Sequence, residues 1–392
     1  MQTRKYVLVL LLLLSMQRSW AQSTASYESV DAYSYQLYEK AEWKPLLEFG
    51  KEAIGDGQDF VLLRLRMGYA SFMLGNYSAA IKQYEAVLKK DSYNTTAHYY
   101  IWLCRVYLNQ GELAGSSIKN LDKTIVEQNK LKGFAISEVG IESSYKIPDI
   151  TVRENGMYNR LDIKNRWGNN VYMEQGFALF NQTLDEPLLS AVTNNNNIAV
   201  NQKEYYNKLT VNLNKRLQFK LAYHYLYTPF NNYIYNNHLG MAGIRYYGNY
   251  FDIQADAVVG MVTDTLQQQI NLQLSVYPTG NKNFYSITTG MFRNRNSVTG
   301  LNLKQVLGVK VLKGIWLEGN ATLGMFSNLA ENDALYIYNA IDRNKMKAGA
   351  TVYVAGKRLT FQAGYTFEQR ELYKQPLTFN QHSITGGLSW KF

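Results

Sequence analysis

The stretch 217–227, LQFKLAYHYLY, decides the fold because apolar and polar side chains alternate along it. Successive side chains of a β-strand point to opposite faces of a sheet. One face of this strand would carry Leu217, Phe219, Leu221, Tyr223, Tyr225 and Tyr227, and the other Gln218, Lys220, Ala222 and His224. The same alternation recurs in 251–261, 269–276 and 359–368. The pattern predicts extended β-structure with one apolar face.

Alternation of this kind continues from residue 134 to residue 392 and predicts about 14 strands. They are expected at 135–145, 156–167, 170–183, 203–214, 216–227, 236–248, 250–262, 266–277, 282–294, 300–312, 314–327, 343–355, 357–369 and 379–392. A soluble strand usually has about 5–6 residues, whereas a tilted strand that crosses a bilayer needs about 9–11. Because a sheet in lipid must pair all of its backbone groups, these long strands are expected to close into an antiparallel transmembrane barrel. A soluble secreted β-sandwich is the alternative.

The connections between the predicted strands differ in length. Short turns follow the even-numbered strands, at Gly168-Asn169, Lys215, Asn249, Thr279-Gly280-Asn281, Lys313 and Gly356. Longer polar connections follow strands 1, 3, 5, 11 and 13, whereas those after strands 7 and 9 are short. Short turns on one rim and long loops on the other are typical of bacterial outer-membrane barrels, whose short rim faces the periplasm.

The last predicted strand, 379–392, ends in an aromatic pattern over 383–392, SITGGLSWKF. Trp390 and Phe392 share a face with Ile384 and Leu388. This ending resembles the C-terminal strand signature of bacterial outer-membrane proteins. The resemblance implies that Trp390 and Phe392 form the signal that the barrel-insertion machinery recognises.

Residues 27–131 have helical periodicity and contain a 34-residue repeat. The best copy, 61–94, carries Gly68-Tyr69, Leu74-Gly75-Asn76-Tyr77, Ala80-Ile81, Tyr84-Glu85 and Leu88. These residues resemble the tetratricopeptide repeat, in which a glycine allows the turn between two helices and a small residue lets them cross closely. A weaker copy is expected at 27–60 and a degraded one after Asn94. One polar capping helix is expected at 116–131.

The resemblance to these repeats covers about a quarter of the chain and implies a binding scaffold rather than a catalyst. Leu65, Tyr69 and Phe72 would share one face of a helix. By the resemblance, this face lines a concave groove that docks a periplasmic protein or peptide. Ordinary packing between helices is the alternative for all three residues.

The N-terminus has the pattern of a secretory signal. Arg4 and Lys5 precede the apolar run 7–14, and Ser19-Trp20-Ala21 supplies small residues at a cleavage site. A retained membrane anchor is the alternative, but a spanning helix needs about 20 apolar residues. The predicted organisation is therefore a signal peptide at 1–21, a periplasmic helical repeat domain at 22–131 and an outer-membrane barrel at 134–392.

The polar faces of the predicted strands would line the inside of the barrel. The ionisable residues predicted there are Arg160, Asp162, Lys164, Arg166, Asp252, Asp256, Lys304, Lys310, Glu318 and Glu368. They could pair with each other as a structural network or line a path for a polar solute, and both interpretations stay open. About 14 strands are fewer than the 16–18 of open porins, which favours a narrow or gated passage.

The sequence predicts no metal, cofactor or nucleic-acid site. Its 4 histidines have no metal-ligand spacing, and the formal charge of +10 is scattered rather than clustered. An anionic polymer or lipopolysaccharide is the expected counter-charge, and Cys104 is expected to pack inside a helical core. His382-Ser383 and the strand of His224 offer the residue types of a barrel hydrolase, but adjacent strand residues point to opposite faces. No enzyme activity is expected.

Helical repeats followed by a barrel resemble the outer-membrane exporters of exopolysaccharides. Barrel size and repeat number more closely resemble the YaiO-type outer-membrane proteins, a likeness that implies no settled activity. The main hypothesis is passage or surface display of a polar, anionic or glycan-like solute, with the repeats docking a periplasmic partner. A non-transporting envelope scaffold with a plugged barrel and an envelope-lipid hydrolase are the alternatives.

Overall fold

The structure, a computed structural model, describes residues 26–129, 131, 133–185, 197–230 and 233–392. The predicted signal peptide at 1–21 lies outside the described residues. A helical region comes first and a closed antiparallel barrel follows it. This arrangement confirms the predicted barrel and the helical region that precedes it.

Seven α-helices precede the barrel in the described residues. They are α1 Tyr27–Glu39, α2 Trp43–Gly55, α3 Val61–Met73, α4 Tyr77–Lys90, α5 Thr95–Tyr107, α6 Gly111–Ala114 and α7 Lys123–Gln128. The helices α1, α3 and α5 begin at 27, 61 and 95, so helix pairs recur every 34 residues. None of the described helices is long and apolar enough to cross a membrane. Membership of the tetratricopeptide family stays a prediction.

Close packing between α3 and α4 explains the small residues of the best repeat copy. A Cβ atom on Gly68 would lie 2.7 Å from Cζ of Tyr84. Gly75, at the turn between the two helices, has a left-handed φ of 73°, which glycine adopts without strain. Cys104 is fully buried in the cluster around Tyr84. Burial raises the pKa of the Cys104 thiol to about 12, so this cysteine behaves as an apolar packing residue.

The prediction of one capping helix at 116–131 is wrong. The chain forms a 3-10 helix over Gly115–Asn120 and then starts again at α7. Leu121 between them is extended, and the carboxylate of Asp122 caps α7 by accepting from a backbone N–H at 2.8 Å. The break turns apolar side chains from both pieces onto Trp102, which a straight helix would not allow.

Fourteen strands form the barrel. They are β1 Phe134–Pro148, β2 Gly156–Trp167, β3 Val171–Asp185, β4 Asn197–Asn212, β5 Leu217–Phe230, β6 Tyr233–Tyr247, β7 Phe251–Val262, β8 Thr265–Val276, β9 Phe284–Arg295, β10 Val298–Leu312, β11 Ile315–Phe326, β14 Arg343–Ala355, β15 Leu359–Glu371 and β16 Thr378–Lys391. Each strand pairs with the next in this order, and β1 pairs with β16 to close the ring. Two short strands, β12 Ala330–Glu331 and β13 Tyr336–Ile337, form a separate hairpin.

The barrel has two unlike rims. The short-turn rim carries the connections 168–170, 213–216, 248–250, 277–283, 313–314 and 356–358. The opposite, long-loop rim carries the described connections 149–155, 327–342 and 372–377, together with the short turns 263–264 and 296–297. The unequal spacing predicted from the sequence is therefore present on these segments.

Two hairpins at the long-loop rim are longer than predicted. The strand β4 begins at Asn197, which pairs with Asp185, rather than at 203. The prediction of a long connection after β5 is wrong, because β5 runs to Phe230 and β6 starts at Tyr233. We attribute both errors to the loss of apolar alternation where strands extend beyond the apolar band.

The outer wall of the barrel is apolar. Ile270 and Leu272 on β8 are 55% and 59% exposed. Exposed aromatic side chains surround the short-turn rim: Phe134, Trp167, Tyr246, Phe251, Phe284, Trp390 and Phe392. An apolar surface that continues around a whole barrel indicates contact with another apolar phase.

Candidate functional site

The connection between β11 and β14, residues 327–342, folds into the barrel, and we call it the inner loop. Leu329 and Ala330 are fully buried there. Apolar residues of the loop pack in one cluster with inward side chains of β5, β6 and β7, which include Leu226, Leu239, Met241, Val258 and Val262. The loop therefore covers a part of the inner wall where apolar side chains would otherwise be exposed to water.

The tip of the inner loop is a strained turn that the barrel wall holds in place. Asn332, Asp333 and Ala334 have left-handed φ angles of 53°, 58° and 61°. Asparagine and aspartate tolerate this region better than alanine does. The hydroxyl of Tyr206 donates to the carbonyl of Asp333 at 2.9 Å, and Nδ1 of His224 lies 2.8 Å from the carbonyl of Ala334. Such strain persists only where the surroundings fix it.

Asp333 is the main electrostatic anchor of the inner loop. Its carboxylate lies 2.9 Å from Nζ of Lys220 and 3.1 Å from Nζ of Lys208, and it accepts from Nε2 of Gln254 at 2.7 Å. Lys208 has a second partner, Glu174, at 2.7 Å. Lys220 is buried, and Asp333 is its one ion-pair partner among the described residues. Lys220 therefore depends on the loop for its counter-charge.

Further ion pairs, made by Glu331 and Asp342, tie the inner loop to other parts of the barrel. Glu331 lies 2.5 Å from Nζ of Lys304 on β10. Asp342, where the loop meets β14, binds Arg153 through both carboxylate oxygens at 2.8 and 2.9 Å. Both side chains of the Arg153–Asp342 pair are almost fully buried. Breaking one partner of such a pair costs about 3–5 kcal/mol, so these contacts favour a docked loop.

Beside the inner loop the barrel keeps a cavity of about 1560 Å³. Its lining begins at Glu138 and Lys391 near the short-turn rim and reaches 373–376 at the long-loop rim. Residues of β1, β2 and β14–β16 form much of one wall, and the inner loop forms another. The loop thus divides the lumen into a filled side and an open, polar side.

The charged groups in the described cavity lining balance. The carboxylates are Glu138, Glu142, Asp162, Glu174, Glu204, Glu318, Glu331, Asp342, Glu368 and Glu371. The basic residues are Lys146, Arg160, Lys164, Arg295, Lys304, Arg343, Lys347, Arg370, Lys374 and Lys391. With 10 groups of each sign, selection by charge must come from a local imbalance rather than from the cavity as a whole.

One part of the cavity wall keeps hydrogen-bonding groups that the described residues do not satisfy. The guanidinium of Arg160 lies 4.4 Å from the ring centroid of Tyr336, whose hydroxyl donates to Glu142 at 3.1 Å. The buried atoms Nη1 of Arg160, Oδ1 of Asp162 and the hydroxyl oxygen of Tyr158 have no partner within the described residues. An unsatisfied buried group costs about 1–3 kcal/mol, so a polar solute would gain by bonding here.

Six of the predicted lumen residues line this cavity: Arg160, Asp162, Lys164, Lys304, Glu318 and Glu368. Asp252 and Asp256 are instead buried in networks on β7. Asp252 lies 2.6 Å from Nη2 of Arg245, and Asp256 accepts from Nδ2 of Asn271 at 2.7 Å. Contact between any of these residues and a solute stays a prediction.

The remaining two predicted lumen residues lie outside the cavity lining, towards the short-turn rim. Arg166 is at the end of β2. Lys310 is near the end of β10, with its ammonium group 5.0 Å from the ring of Trp316. They are therefore not brought together with the other six.

The inner loop was not predicted from the sequence, in which 327–342 was expected to be a polar connection. A usable signal was present, because the apolar residues Leu329, Ala330 and Ile337 lie on both sides of a polar run in a segment between two long strands. A solvated loop has no need for such apolar residues. The pattern predicts a buried segment, but it does not predict which lysines the loop contacts.

The residues considered for hydrolysis are not brought together. Nδ1 of His382 lies 2.7 Å from the hydroxyl of Tyr365 on the exposed outer face, whereas Ser383 is buried on the inner face. His224 lies inside the barrel, 3.2 Å from Glu204. Among the described residues, no group of His, Cys, Asp and Glu could hold a metal ion.

The helical region is attached to the short-turn rim at the start of α4. The backbone N–H of Ser78 donates to the carbonyl of Gly280 at 3.0 Å. Nδ2 of Asn281 donates to the carbonyl of Gly75 at 2.8 Å. The left-handed turn that separates α3 from α4 is therefore also a contact with the barrel.

A second attachment involves α4, α5 and the turn between β4 and β5. Nη2 of Arg105 donates to the carbonyl of Lys215 at 2.6 Å, and Glu85 forms an ion pair with Arg216. Asn109, just after α5, lines the cavity. The helical region thus contributes to the cavity at its short-turn end.

The three predicted groove residues Leu65, Tyr69 and Phe72 are partly buried. The ring of Tyr69 lies 5.5 Å from that of Trp43 and 5.7 Å from that of Tyr100. These contacts join successive helix pairs, so the residues contribute to packing while part of each surface stays accessible. Binding of a partner there stays a prediction.

No family model and no curated protein matches the sequence. Similar solved structures include the Pseudomonas putida toluene transporter TodX, with 8% identity, 70% of this chain and 91% of that chain covered, and a TM-score of 0.44. A bacterial polysaccharide outer membrane secretin has 9% identity, coverage of 66% and 98%, and a TM-score of 0.40. The Acinetobacter baumannii outer membrane protein Omp33 has 6% identity, coverage of 66% and 99%, and a TM-score of 0.39. At these low scores the likeness carries no argument about solute or partner.

Proposed function

We propose that the barrel spans the outer membrane of a bacterium, with the helical region in the periplasm. The apolar outer wall and the aromatic side chains at its edge support this placement, because lipid-facing strands need both. The unequal rims support the orientation, since short turns are periplasmic in such barrels. The insertion role of Trp390 and Phe392 is part of the same proposal.

We also propose that a polar solute passes through the cavity beside the inner loop. The observation that carries this proposal is a cavity lined by charged side chains of both signs, whose lining reaches both rims. Its balanced charges and the unsatisfied donors and acceptors near Arg160 suit a solute rich in hydroxyl or charged groups. A glycan-like molecule is the finer hypothesis, because each sugar hydroxyl both donates and accepts.

The helical region would dock a periplasmic protein or peptide. The partly exposed rings of Tyr69 and Phe72 supply apolar anchors for such a partner. The attachment of α4 and α5 to the short-turn rim would hold a docked partner close to the cavity entrance.

A scaffold with a plugged barrel is the second candidate. The ion pairs of Asp333, Glu331 and Asp342 favour it, because they hold the inner loop inside the lumen. In that case the cavity would be a static pocket, and the envelope partner of the helical region would define the function.

Recording from purified protein in planar bilayers separates the two candidates. For passage, we expect discrete conductance steps that a charged methanethiosulfonate reagent reduces in a Gln362→Cys variant. Gln362 lines the cavity, whereas Gln268 is exposed on the outer wall, so Gln268→Cys is the matched control and should be insensitive. Folded barrel that stays silent would contradict passage and favour the scaffold. Folding is checked by heat-modifiable gel mobility.

A further inference from the structure

Three arginines meet at the long-loop end of the lumen. Arg293 and Arg295 are at the end of β9, where they pair with Gln269 and Gln267. Both glutamines bond to the inner loop inside the barrel, so the two arginines are on the inward face as well. Arg343 begins β14, and it lines the cavity together with Arg295. Arg293 lies on the same inward face of β9, two residues before Arg295, so it adds a third positive charge at this end of the lumen.

Within the described residues, none of these three arginines has a carboxylate partner. Elsewhere Lys220, Arg245 and Arg370 each have a carboxylate within 2.9 Å. In the described part of the chain, no acidic residue lies within ion-pair distance of Arg293 or Arg295. The charges of the cavity as a whole are balanced, but its long-loop end therefore carries an excess of positive charge.

Carboxylates close in sequence to Arg343 or across from it are already engaged. Asp342 binds Arg153 through both oxygens. Glu371, which pairs with Arg343 in the sheet register, lies 3.4 Å from Nζ of Lys345. Neither carboxylate is therefore paired with Arg343.

Neutral groups orient Arg295 without cancelling its charge. Nη2 of Arg295 donates to the carbonyl of Val262 at 2.9 Å and to Oγ1 of Thr263 at 2.5 Å. Nε of Arg295 and both Nε and Nη1 of Arg293 are buried without a hydrogen-bond partner among the described residues. A guanidinium presents several N–H donors in a planar fork that matches an oxyanion, and leaving them unsatisfied is costly.

We propose that Arg293, Arg295 and Arg343 form an oxyanion-binding site at the long-loop mouth, which takes a phosphate, sulfate or carboxylate group of a soluble molecule. On β9 the neighbouring residue Phe292 points outward and is exposed, so Arg293 and Arg295 point into the lumen. Side chains in the lumen meet a solute rather than a lipid headgroup. The role of this site rests on the proposed passage of a solute, because an anionic group bound here would enter the cavity next.

Binding is tested on the full chain in zwitterionic detergent, by calorimetric titration with inorganic phosphate. We expect saturable binding that Arg293→Gln/Arg295→Gln weakens by about tenfold or more, because charge-assisted hydrogen bonds are lost. Arg358→Gln makes the same change at the short-turn rim, where Arg358 is exposed, and should leave affinity unchanged. Arg343→Gln, at an exposed position, should weaken binding even if the double variant folds poorly.

Three outcomes would overturn the proposal. One is absence of phosphate binding to the folded wild-type barrel, and another is an equal loss in Arg358→Gln. The third is binding to phosphatidylglycerol vesicles without binding to inorganic phosphate, which would assign the arginines to lipid. Phosphate binding by a barrel that conducts no ions would contradict the proposed passage of a solute but not the oxyanion site. Failure of the passage function and failure of the site are therefore distinguishable.

Discussion

Replacing Asp333 with asparagine tests whether the inner loop limits passage through the barrel. The change removes the one described ion-pair partner of the buried Lys220, whereas Lys208 keeps Glu174 at 2.7 Å. Removing one partner of a buried pair costs about 3–5 kcal/mol. Because Lys208 stays paired and the amide can still bond Gln254, we expect the lower end, about 3 kcal/mol. That energy changes the ratio of docked to undocked loop by about two orders of magnitude.

The assay is single-channel recording in planar bilayers. The Asp333→Asn protein should show more frequent or larger openings than wild type, because an undocked loop frees the covered half of the lumen. The matched control is Asp264→Asn, the same change on an exposed turn residue whose left-handed φ of 55° asparagine also tolerates. Heat-modifiable mobility confirms that each barrel is folded.

A second variant separates loop docking from a general loss of stability. Lys220→Met added to Asp333→Asn removes the orphaned charge, and replacing both partners of a buried pair is often neutral. Openings should therefore return towards the wild-type pattern. Conductance that is identical in wild type, Asp333→Asn and the control would refute the idea that Asp333 holds a gate.

Three other predictions concern the surfaces and cores on which the fold depends. Leu272→Arg on the outer wall should lower barrel stability in lipid by about 2–4 kcal/mol in urea titrations, whereas Leu62→Arg on an exposed helical surface should not. Because burial raises the pKa of Cys104 to about 12, its thiol stays protonated at pH 8, and iodoacetamide should label it only after unfolding; rapid labelling of folded protein would contradict this. Gly68→Ala should destabilise α3 and α4 by about 1–3 kcal/mol through contact with Tyr84, measured as faster hydrogen exchange there.

The strand number was predictable because the polar–apolar alternation is local and repeats along each strand. The segments around 217–227 and 269–276 contain that pattern without reference to the rest of the chain. Strand ends at the long-loop rim were less predictable, because the regular alternation is lost there: Ile198 is apolar but buried inside, whereas Tyr233 and Ile234 are both exposed. The same alternation predicted that residues such as Arg160 face inward, but it did not predict which residues they contact.

What the sequence by itself determined is therefore the set of properties that depend on near neighbours: the strands, the helix pairs with their 34-residue spacing, and the face on which each side chain lies. Only the tertiary structure decided what fills the lumen. Asp333 meets Lys220 across 113 positions of sequence, and no local pattern records that meeting. Closure of the ring fixes the width of the interior, and the space left inside decides whether residues 327–342 turn inward. The division of the lumen and the cluster of arginines at its mouth are consequences of that closure.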